Sequence, residues 1–401
     1  MIEELILGKD FNKHTNELSV KLTNLTGIHN GYKFHSGLNI DKKFNKMSNT
    51  LNCKYGFYFC YFSEFPEWIT YKPYDIMKNL WYIDFPDDAR IYIKRSVDGK
   101  VHTMRCDKFI LRDRIDIWSD EHLLSYALNS FGYLLRYIDN PTQSQCLTAV
   151  KNHGMSIKYI HRSMQSHHLC IEAVTNDGYA LEHCYFTNDK IFMTAIMSKP
   201  FVINVINKPS IELKMAAVTK NGMALSCINK QTSAMCIAAV KQNGFALKHV
   251  KIQTNQICLA AVKQNGLALC HVIPIFKNMD ICMNAVNNNP FSITECPMKT
   301  CYLWELALQR DGGVFRYFDQ AQLVINSKTK TKNQLKTKLR NTVKKLEKLA
   351  IKMSPMNIRF VERPDFLTAV KAVKKNTDAW DLINDKILKS MLVFYKKTPK
   401  R

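Results

Sequence analysis

The sequence predicts an α+β N-terminal domain, an all-α solenoid of about nine 22–24-residue helical-hairpin repeats, and a basic helical C-terminal region. Three observations predict it. Aromatic, strand-like segments crowd the stretch before residue 115, a small-residue unit recurs in register from about 120 to 320, and positive charge gathers in the last 74 residues. The boundaries fall at 1–119, 120–327 and 328–401.

Residues 30–115 read as a mixed α+β unit. Lys54 to Cys60 is aromatic-rich and suits a strand. Trp81 to Phe85 and Arg90 to Lys94 suit two more, divided by a Pro86-Asp87-Asp88 turn. Asp98-Gly99 is a hairpin signal between Ile91–Ile93 and Val101–Met104.

The repeat is anchored on Ala127, Ala149, Ala173, Ala195, Ala217, Ala239, Ala261, Ala285 and Ala307, spaced by 22 or 24 residues. Five residues after each anchor stands a glycine, or a proline at Pro200 and Pro290. Apolar residues follow three and six positions later, as Leu247 and Val250 follow Gly244. Cys236, Ala239 and Val240 stand three and four apart, one face of a helix. Asn243-Gly244 is expected to close it, with glycine in the left-handed conformation. Leu247 to Val250 is expected to form a short return helix, and Thr254 and Thr187-Asn188-Asp189 to supply N-caps. Both 24-residue spacings place their extra residues between the glycine and the next cysteine, Gly154 to Cys170 and Gly266 to Cys282. Insertion at one connection is what a solenoid tolerates. The period excludes ankyrin and tetratricopeptide units, and the strand signature of leucine-rich repeats is missing.

The AVKQNG-x-AL units resemble a short helical repeat of unknown function, abundant in giant DNA viruses of amoebae. Gly37-Leu38-Asn39, Cys53, Tyr58-Phe59, Pro86-Asp87-Asp88-Ala89 and Lys108-Phe109-Ile110-Leu111 are similar to the leader domain of mimivirus-type repeat proteins. Together the resemblances imply a viral repeat protein, located in the infected host cell cytoplasm or the virion, and bring no catalytic residues. His35-Ser36-Gly37 and Gly56 to Phe59 faintly resemble the His and Tyr motifs of ADP-ribosyltransferases, which would imply a nicotinamide dinucleotide substrate. The catalytic glutamate of that family has no clear counterpart, and a strand and turn in an aromatic core is the competing reading.

The chain's net charge of +23 is uneven, with 21 Lys/Arg against 6 Asp/Glu after residue 327. Leu335, Leu339, Val343, Leu346, Leu349 or Ala350, and Met353 recur every three or four residues and define an amphipathic helix ended by Pro355. Lys336, Lys338, Arg340, Lys344, Lys345 and Lys348 fill its other face, and Lys396, Lys397, Lys400 and Arg401 close the chain. These ten are the candidate polyanion-binding residues. Nucleic acid, an acidic protein and an anionic membrane surface all suit such a face, as does plain solvation. A second helical region is expected from about Pro364 to Phe394, with residues 327–332 as a hinge.

Five of the 13 cysteines, Cys146, Cys170, Cys236, Cys258 and Cys282, share one repeat position, as small buried hydrophobes would. With no C-x-x-C, reduced thiols in a cytosol-like compartment are expected. The N-terminus lacks a signal-peptide layout, and no apolar run nears the ~20 residues of a membrane span. Five residues after each glycine or proline runs the column Tyr137, Tyr159, His183, Val205, Cys227, His249, His271, Glu295, Tyr317. His249 with His271 raises a metal reading that lacks further ligands. Phosphate loops, dinucleotide fingerprints and zinc-protease or nucleophile-elbow motifs are absent from the sequence. The expectation is a non-enzymatic scaffold without catalytic, cofactor or metal residues, binding an unidentified protein along the solenoid. A nucleic-acid-associated virion or viral-factory protein, using its C-terminal region, is the alternative.

Overall fold

Residues 2–29, 31–42, 56–70, 76–97, 101–320, 323–324, 332–383 and 385–397 are described by the structure, a computed structural model. Cys53, Lys54, Tyr55, the Asp98-Gly99 turn, hinge residues 327–331, Lys400 and Arg401 lie outside them. The chain divides into two units, Met1–Ser198 and Lys199–Arg401.

The first unit opens with a sheet. Its strands are β1 (Ile2–Leu7), β2 (Ser19–Thr23), β5 (Gly37–Ile40), β6 (Phe57–Tyr61), β7 (Asn79–Asp84), β8 (Arg90–Arg95), β9 (Val101–Cys106) and β10 (Lys108–Asp116), ordered β1-β8-β9-β6-β2-β7-β10-β5. A two-residue pair, β3 (Ile28–His29) and β4 (Tyr32–Lys33), stands apart from it. Helix α1 (Gly8–His14) and the short α2 (Phe65–Trp68) interrupt the strands. The hairpin expected between Ile93 and Val101 is present as the antiparallel β8–β9 pair, with Tyr92 opposite Arg105. Alternation explains the core: Ile91 and Ile93 on β8, Met104 and Cys106 on β9, and Phe57 and Phe59 on β6 face one interior with Phe109. The sheet begins at Ile2, well before residue 30 where the sequence pattern first reads as strand.

After β10 the chain is helical. Ten-residue helices follow one another: α3 (Glu121–Ser130), α4 (Gln143–Asn152), α5 (His167–Asn176), α6 (Asp189–Ser198), α7 (Ile211–Lys220), α8 (Ser233–Gln242), α9 (Asn255–Gln264), α10 (Met279–Asn288) and α11 (Cys301–Arg310). Each starts on a side-chain cap where the sequence offers one. Thr254 Oγ1 accepts the Ile257 N–H, Asn188 Oδ1 accepts the Ile191 N–H, and Thr142 with Gln145 forms a capping box. The expected return helices are 3₁₀ turns of five or six residues, as at Gly244–His249, too short for an α-helical bond ladder.

The glycine column acts differently from the left-handed cap expected of it. Among the described glycines only Gly27, Gly31, Gly37 and Gly56 have positive φ. Helix α8 instead ends at Asn243 in an extended conformation, φ −147°, and Asn243 Oδ1 accepts the Phe245 N–H to start the 3₁₀ turn. Glycine is required by the next helix. A Cβ on Gly222 would sit 2.2 Å from the Ala239 carbonyl oxygen, and one on Gly132 2.2 Å from that of Ala149.

Within each unit, consecutive helices pack side by side, α3 to α6 in the first and α7 to α11 in the second. The anchor alanines and the five column cysteines are buried. The pairing continues past residue 327. In α12 (Lys332–Met353) Ala350 is followed five residues on by Pro355, then by Ile358 and Val361, the same columns, and α12 packs against α11. Helix α13 (Phe366–Lys375) repeats the step with Ala372, 22 residues after Ala350, and α14 (Lys386–Lys397) ends the described chain. The second helical region is therefore two helices separated by a 3₁₀ turn at Thr377–Trp380. One buried cluster runs from Val218 to Leu392.

Candidate functional site

Two hydrogen-bond clamps set the spacing of the repeats. The glycine N–H donates to the last turn of the next helix: Gly154 to Asn176 Oδ1 at 2.7 Å, Gly222 to Gln242 Oε1 at 2.7 Å, Gly244 to Gln264 Oε1 at 2.6 Å. A glutamine five residues before the column cysteine makes the second clamp. Gln231 Nε2 donates to the His249 carbonyl at 2.8 Å while its Oε1 accepts the Lys251 N–H at 3.0 Å. Gln253 does the same with His271 and Ile273, and Gln165 with His183 and Tyr185. Lys277 takes the glutamine's place in the next unit, where its Nζ reaches the Glu295 carbonyl at 3.3 Å and the Glu295 carboxylate at 3.7 Å.

Along the column that begins with Tyr137, these side-chain clamps hold the backbone at His183, His249, His271 and Glu295. Its side chains are half-buried or exposed, so the residue type varies while the frame repeats. In the first unit Arg136 stacks over Tyr137 and Tyr159, with Lys158 also over Tyr159. In the second, Arg316 lies over Phe291 and Tyr317. His271 packs its ring against the edge of Phe245, centroids 5.8 Å apart. Burial, then the nearby Lys248 and His271, pull His249 below the ordinary histidine range, and burial and Lys248 do the same to His271. No three His, Cys, Asp or Glu side chains among the described residues group as a metal site.

The basic helix is the second candidate. Lys336, Lys338, Arg340, Lys344, Lys345 and Lys348 are all exposed along α12. Lys345 pairs with Glu305 at 2.7 Å and Lys348 with Asp365 at 3.2 Å. Lys336, Arg340, Lys344, Lys348 and the exposed Lys352 stand every four residues, one ridge of the helix. Sequence reading missed Lys352, although its spacing from Lys348 marks it. Lys396 and Lys397 end α14, and Lys400 and Arg401 lie outside the described residues.

In the sheet region the His and Tyr motifs are engaged locally. The His35 Nδ1 contacts the Ser36 carbonyl at 2.9 Å, and the Tyr58 carbonyl accepts from Lys21 Nζ at 2.7 Å. Lys21 was missed by sequence reading, which placed no strand before residue 30, whereas it lies in β2. It is almost completely enclosed, 2.8 Å from His29 Nδ1 and 4.8 Å from the Phe34 ring centroid. Burial brings its ammonium down from 10.5 to about 7.

Among the described residues no helix is long and apolar enough to cross a membrane. No curated protein matches the chain. No solved structure matches it either. One family model, described as "Domain of unknown function (DUF4116)", matches residues 254–299, from the cap of α9 through the turn after α10.

Proposed function

We propose that this chain is a non-enzymatic interaction scaffold of a giant DNA virus, an α-solenoid that docks a protein partner in its second unit, along the column from Val205 to Tyr317. The observation that carries the reading is a constant frame bearing variable side chains. The anchor alanines stay buried in every unit and Gln165, Gln231 and Gln253 repeat the same contacts, while the column changes among Tyr, His, Val, Cys and Glu. Repeat stacks use such surfaces for binding. Aromatic side chains flanked by arginine suit contact hot spots. The test is recovery of proteins from infected-cell extract on the full chain and on a His249→Ala, His271→Ala, Tyr317→Ala variant, with and without nuclease. A nuclease-resistant protein recovered by the first and lost on the second supports the reading; equal recovery on both sinks it.

A second reading rests on the α12 ridge, whose five regularly spaced cations suit a polyanion such as nucleic acid.

A further inference from the structure

Rings and cations alternate along one face of the first unit. The Arg136 guanidinium lies 5.0 Å from the Tyr137 ring centroid and 5.9 Å from that of Tyr159, one repeat further on. Lys158 Nζ stands 4.9 Å from the second ring, and the Arg162 guanidinium lies 6.0 Å from Tyr185. All three cations are exposed, as is Tyr185 at 58%, while Tyr137 and Tyr159 are half-buried. Arg162 joins the row because the first 24-residue spacing adds the short turn Arg162–Met164.

The row ends in a cleft of about 430 Å³, whose lining includes Lys158, Arg162, Glu182, His183 and Tyr185. Its aromatic wall is fixed although it faces water. The buried Gln165 accepts the Tyr185 N–H at 2.8 Å and donates to the His183 carbonyl at 3.2 Å. The Tyr185 ring stands edge-on to Phe186, centroids 5.1 Å apart. An exposed ring held this way loses little freedom when a ligand stacks on it. The second 24-residue spacing has the same length but other chemistry. Cys270, Pro274, Glu295 and Pro297 stand there in the places of Lys158, Arg162, His183 and Tyr185.

We propose that this face binds single-stranded nucleic acid, with bases stacked on Tyr159 and Tyr185 and phosphates set against Arg136, Lys158 and Arg162. It is a site separate from the α12 ridge and from the second unit's column. Aromatic faces between cations accept bases of any identity, because every base has a π-face. Spacing selects the form of the nucleic acid. Neighbouring helices lie about 8–10 Å apart, whereas bases along one strand of a duplex rise about 3.4 Å each. One base per repeat therefore requires a strand drawn out well beyond duplex spacing, with its bases unstacked. A duplex keeps its bases inward and leaves the rings uncovered.

The test crosslinks the full chain to an oligouridine carrying 5-iodouracil and maps the products by mass spectrometry, beside anisotropy titrations of a labelled oligouridine. Titrations in the Lys336→Gln, Arg340→Gln, Lys344→Gln background remove the contribution of α12, and binding is expected to persist there. Crosslinks are expected at Tyr159 and Tyr185. Tyr159→Leu and Tyr185→Leu should each weaken binding about fivefold or more, the lower end of what one stacked base contributes. Tyr185→Phe should bind as the parent does. Arg136→Gln, Lys158→Gln and Arg162→Gln together should lower the slope of log affinity against log salt by roughly 2, at about 0.7 per phosphate of a single strand. Tyr185 is exposed, so its leucine variant keeps the fold and decides the matter even where Tyr159→Leu unfolds. Undiminished binding by Tyr185→Leu would overturn the proposal. So would crosslinks confined to α12, a duplex that competes as well as the single strand, or a wild type that does not bind.

Discussion

The carbonyl oxygen of Ala239 occupies the place where a side chain on Gly222 would have to begin, 2.2 Å from the ideal Cβ position. The contact joins α8 to the turn of the preceding unit, and the Gly222 N–H reinforces it by donating to Gln242 on that same helix. Gly222→Ala is expected to destabilise the protein by about 1–3 kcal/mol, because backbone must shift to admit one methyl group. Guanidinium unfolding of the full chain, read as a midpoint at unchanged slope, checks it. An unaltered midpoint would mean that the helix can retreat at no cost.

The glutamine clamps predict a second set of losses. Replacing Gln253 by Leu removes the partner of the His271 carbonyl and of the Ile273 N–H at once. Leaving such groups short of partners costs roughly 1–3 kcal/mol where they are buried. Here the sites are part-buried, so the lower half of that range is expected, together with faster hydrogen exchange at Ile273. Unchanged exchange at Ile273 would show that water takes over the bond.

How much of this was legible beforehand depends on how local each cause is. The period, the caps at Thr254 and Asn188, and the buried cysteine column were legible because residues three or four apart on one helix encode them. The role of Gly222 was not, since its constraint comes from Ala239, in the following unit. Six-residue turns such as Gly244–His249 are too short for spacing alone to separate 3₁₀ from α. The unit at Ala350 escaped notice because it stands 43 residues after Ala307, out of the 22- or 24-residue register, though Pro355, Ile358 and Val361 keep the columns. For the candidate sites, the basic face of α12 was plain in the spacing of its lysines, whereas the pairing of Lys345 with Glu305 joins residues 40 apart.

Lys21 gives the sheet region a pH dependence of known sign. Its folded value lies near 7, below the unfolded value near 10.5, because burial disfavours the ammonium. Between those values the unfolded chain binds more protons, so this group makes stability rise with pH from about 7 to 10.5. Below the lower value the penalty is fully present. Lys21→Met is expected to remove that slope while giving up the contacts to His29 and the Tyr58 carbonyl. Thermal unfolding at pH 6.5, 8 and 9.5 reads the slope; a methionine variant as pH-dependent as the parent would refute the assignment.

The cations of α12 divide into those that hold the fold and those that face outward. Lys345 is held to Glu305, whose hydrogen bond raises the ammonium's pKa, so Lys345→Gln is expected to loosen the packing of α12 on α11. Lys336, Arg340 and Lys344 project from successive turns, about 6 Å apart at 1.5 Å rise per residue. If a nucleic acid lies along this ridge, each phosphate contact adds about 0.9 to the slope of log affinity against log salt for duplex DNA. The triple variant Lys336→Gln, Arg340→Gln, Lys344→Gln should then lower the slope by roughly 2–3 and weaken binding equally for unrelated sequences. Fluorescence anisotropy with a labelled duplex, from 50 to 200 mM salt, measures it. A slope unchanged in the triple variant places any duplex elsewhere on the chain and leaves the ridge as a solvated face.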